Sequence, residues 1–304
     1  MPHAPMSLWI LASLFAATAQ AIRFYLQKRL SVGGLSPAAS TFARFVYAPV
    51  PVALGLGIWA VLSDAAVPSI GPGFWGYAVA GGIAQILATI CVVALFARRN
   101  FAVGIAFSKT AVLMTVVAGF LLLGEGVTWG AFGAMAVGFA GVVILSLPEG
   151  AGLRANPFNA ASLLGLASGA LFSISAVGYR GASLAIATDA PLLRAGMTLC
   201  FVTLFQTFIL AAWLIWRDRA GLVAVFVRWR ATSLVGAASV AGSMGWFTAY
   251  TLQNAALVNA VGQVELILSM LISRFALGEV QSRRELAGIG LVGVSVIGLI
   301  LLKA

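Results

Sequence analysis

Ten apolar runs, each long enough to cross a lipid bilayer, constrain this chain more than anything else in it. They fall at about 6–27, 38–62, 73–97, 101–123, 127–147, 159–181, 190–216, 231–253, 256–277 and 284–303. About 20 residues rising 1.5 Å each cover a hydrocarbon core of about 30 Å. Breakers mark the cuts: Gly33-Gly34 with Pro37, Pro68 with Gly71-Pro72-Gly73, Arg98-Arg99-Asn100, Gly124-Glu125-Gly126, Pro148 to Pro157, and Gly278 to Arg284. The composition fits no soluble globule: 62% of residues are hydrophobic and 9% charged, against roughly a quarter charged in ordinary soluble domains, and mean hydropathy is +1.05. The expected fold is an all-α membrane protein with ten transmembrane helices and almost nothing left over for a soluble domain.

The formal charge of +10 does not indicate nucleic-acid binding, because the Lys and Arg residues sit singly or in pairs between apolar runs instead of clustering on one face. It reads as topology. Lys28, Arg29, Arg98, Arg99, Arg154, Arg217, Arg219, Arg228, Arg230, Arg283 and Arg284 fall in loops 1–2, 3–4, 5–6, 7–8 and 9–10, whereas the opposite side holds little beyond Arg180 and Lys303. Positive-inside reasoning puts those loops in the cytoplasm and both termini outside. The run Ala16-Ala17-Thr18-Ala19-Gln20-Ala21 resembles a signal-peptide cleavage site, but no Lys or Arg precedes the apolar core, so the segment is expected to remain as the first helix. Cys91 and Cys200 lie inside apolar segments without a metal-ligating neighbour and read as small buried residues.

Superimposing the two Gly-Glu pairs exposes a repeat. Asn100 to Glu125 lies over Asn254 to Glu279, matching Ala102 with Ala256, Ala106 with Ala260 and Leu123-Gly124-Glu125 with Leu277-Gly278-Glu279. Leu11-Ala12-Ser13 returns as Leu166-Ala167-Ser168, Arg44 as Arg194, and Gly133 and Gly138 as Gly288 and Gly293. Each half, 1–150 and 151–304, holds five spans. An odd repeat turns the halves over relative to one another and sets a site near the midplane between them.

Two five-helix halves, each with a Leu-Gly-Glu closing its fourth helix, an arginine early in its second and a Gly-spaced fifth, resemble the drug/metabolite transporter superfamily of the EamA type. The motifs carrying this are Phe120-Leu121-Leu122-Leu123-Gly124-Glu125 and Arg274-Phe275-Ala276-Leu277-Gly278-Glu279. The resemblance covers the whole chain and implies export or exchange of small metabolites, often amino acids or related compounds, across the bacterial inner membrane. Two departures stand out: neither Asn100 to Leu123 nor Asn254 to Leu277 contains the proline common in these helices, and loop 2–3 and the C-terminus lack the usual basic residues.

Of eight acidic residues, only Glu265 falls deep in a span. Eleven residues below Asn254 it lies roughly 16 Å into the bilayer, and Lys109, nine residues into helix four from the other side, lies near about 14 Å. The two can meet. An ionised side chain at a helix centre costs about 2.5–3.5 kcal/mol, so Lys109, Glu265 and Arg44 must face the bundle interior or a wet cavity. Glu265 reads as a proton- or cation-coupling carboxylate, with Lys109 as its partner or as a clamp on an anionic solute, against the alternative of an ion pair that only fixes packing. Gln263, at the repeat position of Lys109, and Gln85, midway along helix three, can serve a cavity or bind helices together. Arg44 and Arg194 can bind a carboxylate or snorkel to the interface; Arg23 and Arg180, nearer helix ends, read as interfacial. Trp246 and Tyr250 share one face of helix eight at i, i+4 and would make an aromatic wall if that face is inward. Gly288-Ile289-Gly290-Leu291-Val292-Gly293 spells a dinucleotide fingerprint, but it lies in an apolar span with no strand before it and is rejected.

The expected function is therefore a secondary transporter of a small anionic or zwitterionic solute, driven by protons or exchange because no ATP-binding loop is present. A flippase of a lipid or lipid-linked carrier on the same scaffold is the alternative. No enzyme activity, cofactor or metal is expected, since the only histidine is His3 and no acid pair or nucleophile–base set shares a span. The expected partners are the solute and the bilayer, with the chain a monomer or a homodimer.

Overall fold

In a computed structural model, which describes residues 7–63, 67–97, 101, 105, 108–146, 160–279 and 282–302, the chain is all helical. The elements in chain order are α1 (Ser7–Val32), α2 (Pro37–Val46), α3 (Pro49–Ser63), α4 (Phe74–Phe96), α5 (Ala111–Leu123), α6 (Trp129–Ser146), α7 (Ala160–Leu184), α8 (Pro191–Arg217), α9 (Arg219–Val227), α10 (Trp229–Leu252), α11 (Ala255–Val261), α12 (Val264–Ala276) and α13 (Arg283–Leu301). No strand occurs among the described residues; an isolated bridge joins Ile70 to Ile186, flanked by Gly71 N–H donating to Ala185 O over 2.8 Å.

Six spans are long and apolar enough to cross a membrane: Leu8–Val32, Pro37–Ser63, Phe74–Phe96, Leu163–Leu184, Pro191–Arg217 and Ala255–Ala276. A seventh is reached if α9 and α10 count together, although they meet at 90°. This is compatible with a multi-pass membrane protein. The other three runs of the hydropathy reading correspond to shorter apolar stretches, Ala111–Leu123, Trp129–Gly141 and Leu286–Ser295. Asp64, Arg98, Arg99, Asn100, Arg154 and Lys303, on which the topology and resemblance readings partly rest, lie outside the described residues.

Three spans are broken. Pro49 has no N–H to give the preceding turn, so α2 closes at Tyr47, Ala48 N–H donates to Phe45 O over 3.0 Å, and α3 restarts with Pro49 at its first position. The break between α11 and α12 has no proline. There the i→i−4 ladder tightens to i→i−3: Gln263, Glu265 and Leu266 N–H groups donate to Ala260, Gly262 and Gln263 carbonyls over 3.1, 3.1 and 2.9 Å. The break packs against Trp246, and only glycine fits there, because a Cβ on Gly262 would lie 2.3 Å from the Trp246 ring. The span opening at Phe101 also breaks, in a turn at Lys109-Thr110 before α5.

Helices pack in pairs, α4 along α7, α1 along α10 and α6 along α13. At the last contact a Cβ on Gly141 would stand 2.5 Å from the Gly288 carbonyl, so the Gly-x-Gly-x-x-Gly stretch lies within a helix that packs closely against its neighbour. In the segment read as loop 7–8, Arg219–Val227 forms α9, nine residues long and covering about 14 Å, too little to span. Asp218 caps it, accepting from Gly221 N–H at 2.8 Å and from Ser36 Oγ–H at 2.5 Å.

Candidate functional site

The breaks at Lys109 and at Gly262-Gln263 bring two charged side chains together. Glu265 stands in the first turn of α12, where the helix dipole favours a carboxylate, and it is 0% exposed. Lys109 reaches it from the turn before α5, its Nζ–H donating to Glu265 Oε2. The same oxygen accepts from Gln20 Nε2–H over 2.8 Å, and Gln20 Oε1 accepts from Trp246 Nε1–H over 3.1 Å. Glu265 Oε1 is buried without a hydrogen-bond partner among the described residues.

A cavity of about 60 Å³, room for roughly four to six waters, opens beside this chain of contacts. Lys109, Gln20, Gln85 and Asn259 contribute polar groups to its wall, and Tyr179, Trp246, Phe247 and Tyr250 contribute rings. Trp246 and Tyr250 stack with centroids 5.9 Å apart and planes at 17°, so the α10 face that carries both turns inward. Tyr179 stacks on Phe247 at 4.4 Å. Tyr250 donates its hydroxyl to Asn259 Oδ1 over 2.7 Å, and Asn259 donates to Thr115 Oγ1 over 3.0 Å. Gln85 Oε1 accepts from Tyr179 at 2.7 Å and from Gln206 at 3.2 Å.

Five residues singled out in the sequence therefore line one cavity or adjoin it: Lys109, Glu265, Gln85, Trp246 and Tyr250. Three stand elsewhere. Gln263 is buried where α6 and α13 meet, close enough that a Cβ on Gly138 would lie 3.0 Å from its Oε1, and neither of its polar atoms has a partner among the described residues. Arg194 is half-buried at the start of α8 and donates to Ile186 O over 3.1 Å, bracing a connector. Arg44 is 1% exposed and is held by neutral hydroxyls, Nη1–H to Thr89 Oγ1 at 2.9 Å and Nε–H to Ser239 Oγ at 3.2 Å. Cys91 and Cys200 are half-buried free thiols, less enclosed than their position in apolar runs implied.

Of the two arginines read as interfacial, Arg23 is 1% exposed, and Arg180 ties three helices together at one end of the bundle. Arg180 Nε–H donates to Glu125 Oε1 over 2.5 Å, while Nη1–H reaches the Tyr250 carbonyl and, over 2.7 Å, that of Gln253 at the close of α10. Lys28 does the same work at the other end: it pairs with Glu279, which also accepts from Ser273 Oγ–H and from Phe101 N–H at 3.1 Å. Both carboxylates follow a glycine in the left-handed region, Gly124 at φ 67° and Gly278 at φ 69°, which stops the helix and turns the next side chain inward. The Leu-Gly-Glu motif is thus a helix stop carrying an ion-pair carboxylate. Gln20, the second partner of Glu265, carried no signal in the sequence beyond its place in an apolar helix.

No protein-family model matches the chain, and no curated protein matches it. A crystal structure of a protein 17% identical in sequence superposes with a TM-score of 0.65, covering 96% of this chain and 98% of that one. At that identity the likeness is one of fold: the helical arrangement described above is shared, end to end, with a protein already solved by crystallography.

Proposed function

We propose that this chain is a secondary transporter of a small anionic or zwitterionic solute, an amino acid or a related metabolite, of the EamA type within the drug/metabolite transporter superfamily. The observation that carries this reading is the Lys109–Glu265 pair, buried beside an aromatic-walled cavity at two helix breaks. Broken helices that present a charge and a half-helix N-terminus near the bilayer midplane are how transporters hold polar cargo and coupling ions. At about 60 Å³ the cavity is too small for a metabolite beside the ion pair, so admission requires Lys109 and Glu265 to part. A proton on Glu265 releases Lys109 to a solute carboxylate, and deprotonation returns it.

The packing supports two halves, 1–150 and 151–304, exchanged by an approximate two-fold axis with five spans each, ten in all. Under that exchange α1 takes the place of α7 and α10 that of α4, so the α1–α10 and α4–α7 contacts become equivalent and the α6–α13 contact maps onto itself. The Lys28–Glu279 and Arg180–Glu125 pairs then close opposite ends, and alternating access opens one at a time. Energy from a proton gradient or from exchange, a bacterial inner-membrane location, cytoplasmic odd-numbered loops, and a monomeric or homodimeric state complete the reading.

One observation favours the flippase as the second reading. Pro51, Leu56 and Trp59 of α3, Leu192 and Gly196 of α8, and Met244 of α10 line a groove of about 530 Å³ with apolar walls, a shape that suits an acyl chain.

The test begins with a thermal-shift screen of the purified protein against amino acids, nucleosides, organic cations and lipid headgroups to obtain a solute. In proteoliposomes Glu265→Gln is then expected to abolish proton-driven accumulation of that solute while sparing exchange. Normal accumulation by the variant removes Glu265 from coupling, and stabilisation by lipid headgroups alone moves the assignment to the flippase.

A further inference from the structure

The buried charges of this bundle do not balance. Arg23, Arg44 and Lys109 are all enclosed, yet of the described carboxylates only Glu265 lies among them. Glu125 and Glu279 are engaged at the two ends, Asp218 caps α9 and Asp189 is exposed. Glu265 is hydrogen-bonded to Lys109 and Gln20, which leaves two guanidinium charges without a carboxylate. An arginine cannot shed its proton to escape burial, as a lysine can, and a buried charge persists only where something compensates it.

The two arginines stand side by side. Gln27 on α1 donates to the Ser40 carbonyl on α2 over 3.0 Å, and the two helices run in opposite directions. One turn toward the bundle centre from Gln27 is Arg23, and one turn in the same direction from Ser40 is Arg44. The charge of Arg44 reaches Arg23, and that of Glu265 reaches both. Their partners are neutral: Arg23 Nη1–H donates to Gln27 Oε1 over 2.7 Å, and Arg44 donates to Thr89 and Ser239. The Phe24 ring, 4.0 Å from the Arg23 carbon, softens its charge without cancelling it. Arg23 Nη2 is buried with no acceptor among the described residues, and so is the Ser40 hydroxyl on the facing helix.

We infer that Arg23 and Arg44 form a binding site for a compact monovalent anion, distinct from the Lys109–Glu265 cavity, whose wall includes neither arginine. Arg23 Nη2–H and the Ser40 hydroxyl are its free donors, and the paired guanidiniums supply the field. The occupant is either a small free ion such as chloride or the carboxylate of a solute. Both present the same chemistry to a planar donor fork.

The test is thermal unfolding of the full chain in detergent, followed by tryptophan fluorescence at fixed ionic strength. Chloride or acetate replaces gluconate, the bulky reference anion, or a zwitterionic amino acid is added to the gluconate buffer. Saturable stabilisation by chloride and acetate, weakened at least tenfold in midpoint concentration by Arg23→Gln, supports a free-ion site. Saturable stabilisation by the amino acid alone, lost in the same variant, assigns the occupant to a solute carboxylate. Arg23→Lys, which keeps the charge and loses the fork, serves if the glutamine variant does not fold, and its midpoint should rise about threefold or more. Equal unfolding in all four buffers, or an unchanged midpoint in the variants, overturns the site. No gradient or vesicle enters the measurement, so it can fail while the transport reading stands, and the reverse.

Discussion

Three ion pairs of like chemistry stand in two unlike settings. The Lys28–Glu279 and Arg180–Glu125 pairs at the ends keep side-chain exposures of 11–19%, and each leans on backbone groups at helix termini. The Lys109–Glu265 pair in the middle has 10% and 0% exposure, and its supports are side chains, Gln20 and behind it Trp246. Water reaches both members of an end pair, whereas at the centre the Glu265 side chain is fully enclosed and only Lys109 borders the small cavity. On the transport reading proposed for this chain, the end pairs would open and close at low cost, and the central pair would part when a proton or a solute replaces one member.

The largest expected effect comes from breaking the centre. Glu265→Ala strands Lys109 and should lower stability by about 3–5 kcal/mol, whereas replacing both with apolar residues, Lys109→Met with Glu265→Leu, should recover stability to within about 1 kcal/mol of the starting protein. Thermal unfolding in detergent measures both. If the double variant also transports, the pair serves packing alone and the contrast with the ends disappears.

Next in size are the two helix stops. Gly124→Ala and Gly278→Ala force a side chain into the left-handed region at about 1–2 kcal/mol each, and they should misplace Glu125 and Glu279. Unfolding that is indifferent to both substitutions would show that the positive φ is not needed. The smallest effects belong to the end carboxylates themselves. Glu125→Gln and Glu279→Gln should each cost about 1 kcal/mol or less and shrink further in high salt, whereas the central variants should respond little to salt. A cost at the ends equal to that of Glu265→Ala would erase the distinction drawn above.

Much of the central site is legible in the chain because helix rise is a local property. Counting from Asn254 and from the start of helix four puts Glu265 and Lys109 at one depth, and the structure joins them. The Leu-Gly-Glu stops are legible for the same reason, since only the glycine adopts positive φ at low cost. The side on which a residue lies is another matter. In a soluble helix the apolar stripe points to the core, but in lipid both faces are apolar, and the sequence gives little sign of which is inward. Arg23 was therefore read as interfacial and is buried, Arg194 was read as a site residue and braces a connector, and Gln20 went unnoticed. Asn100, Arg98 and Arg99, which anchored the repeat and the topology, lie outside the described residues.

By itself the sequence determined that this chain is helical and apolar along most of its length, where its Leu-Gly-Glu stops fall, and which charges lie too deep to face lipid. Those properties depend on backbone geometry and on the cost of moving charge out of water, and neither needs a neighbour. Only the tertiary structure decided which charges meet. It gave Glu265 to Lys109 and Gln20, and it buried Arg23 and Arg44 on neutral hydrogen-bond partners. Electrostatic energy between buried groups is set by their mutual distance and by what fills the space between them, and packing alone fixes both.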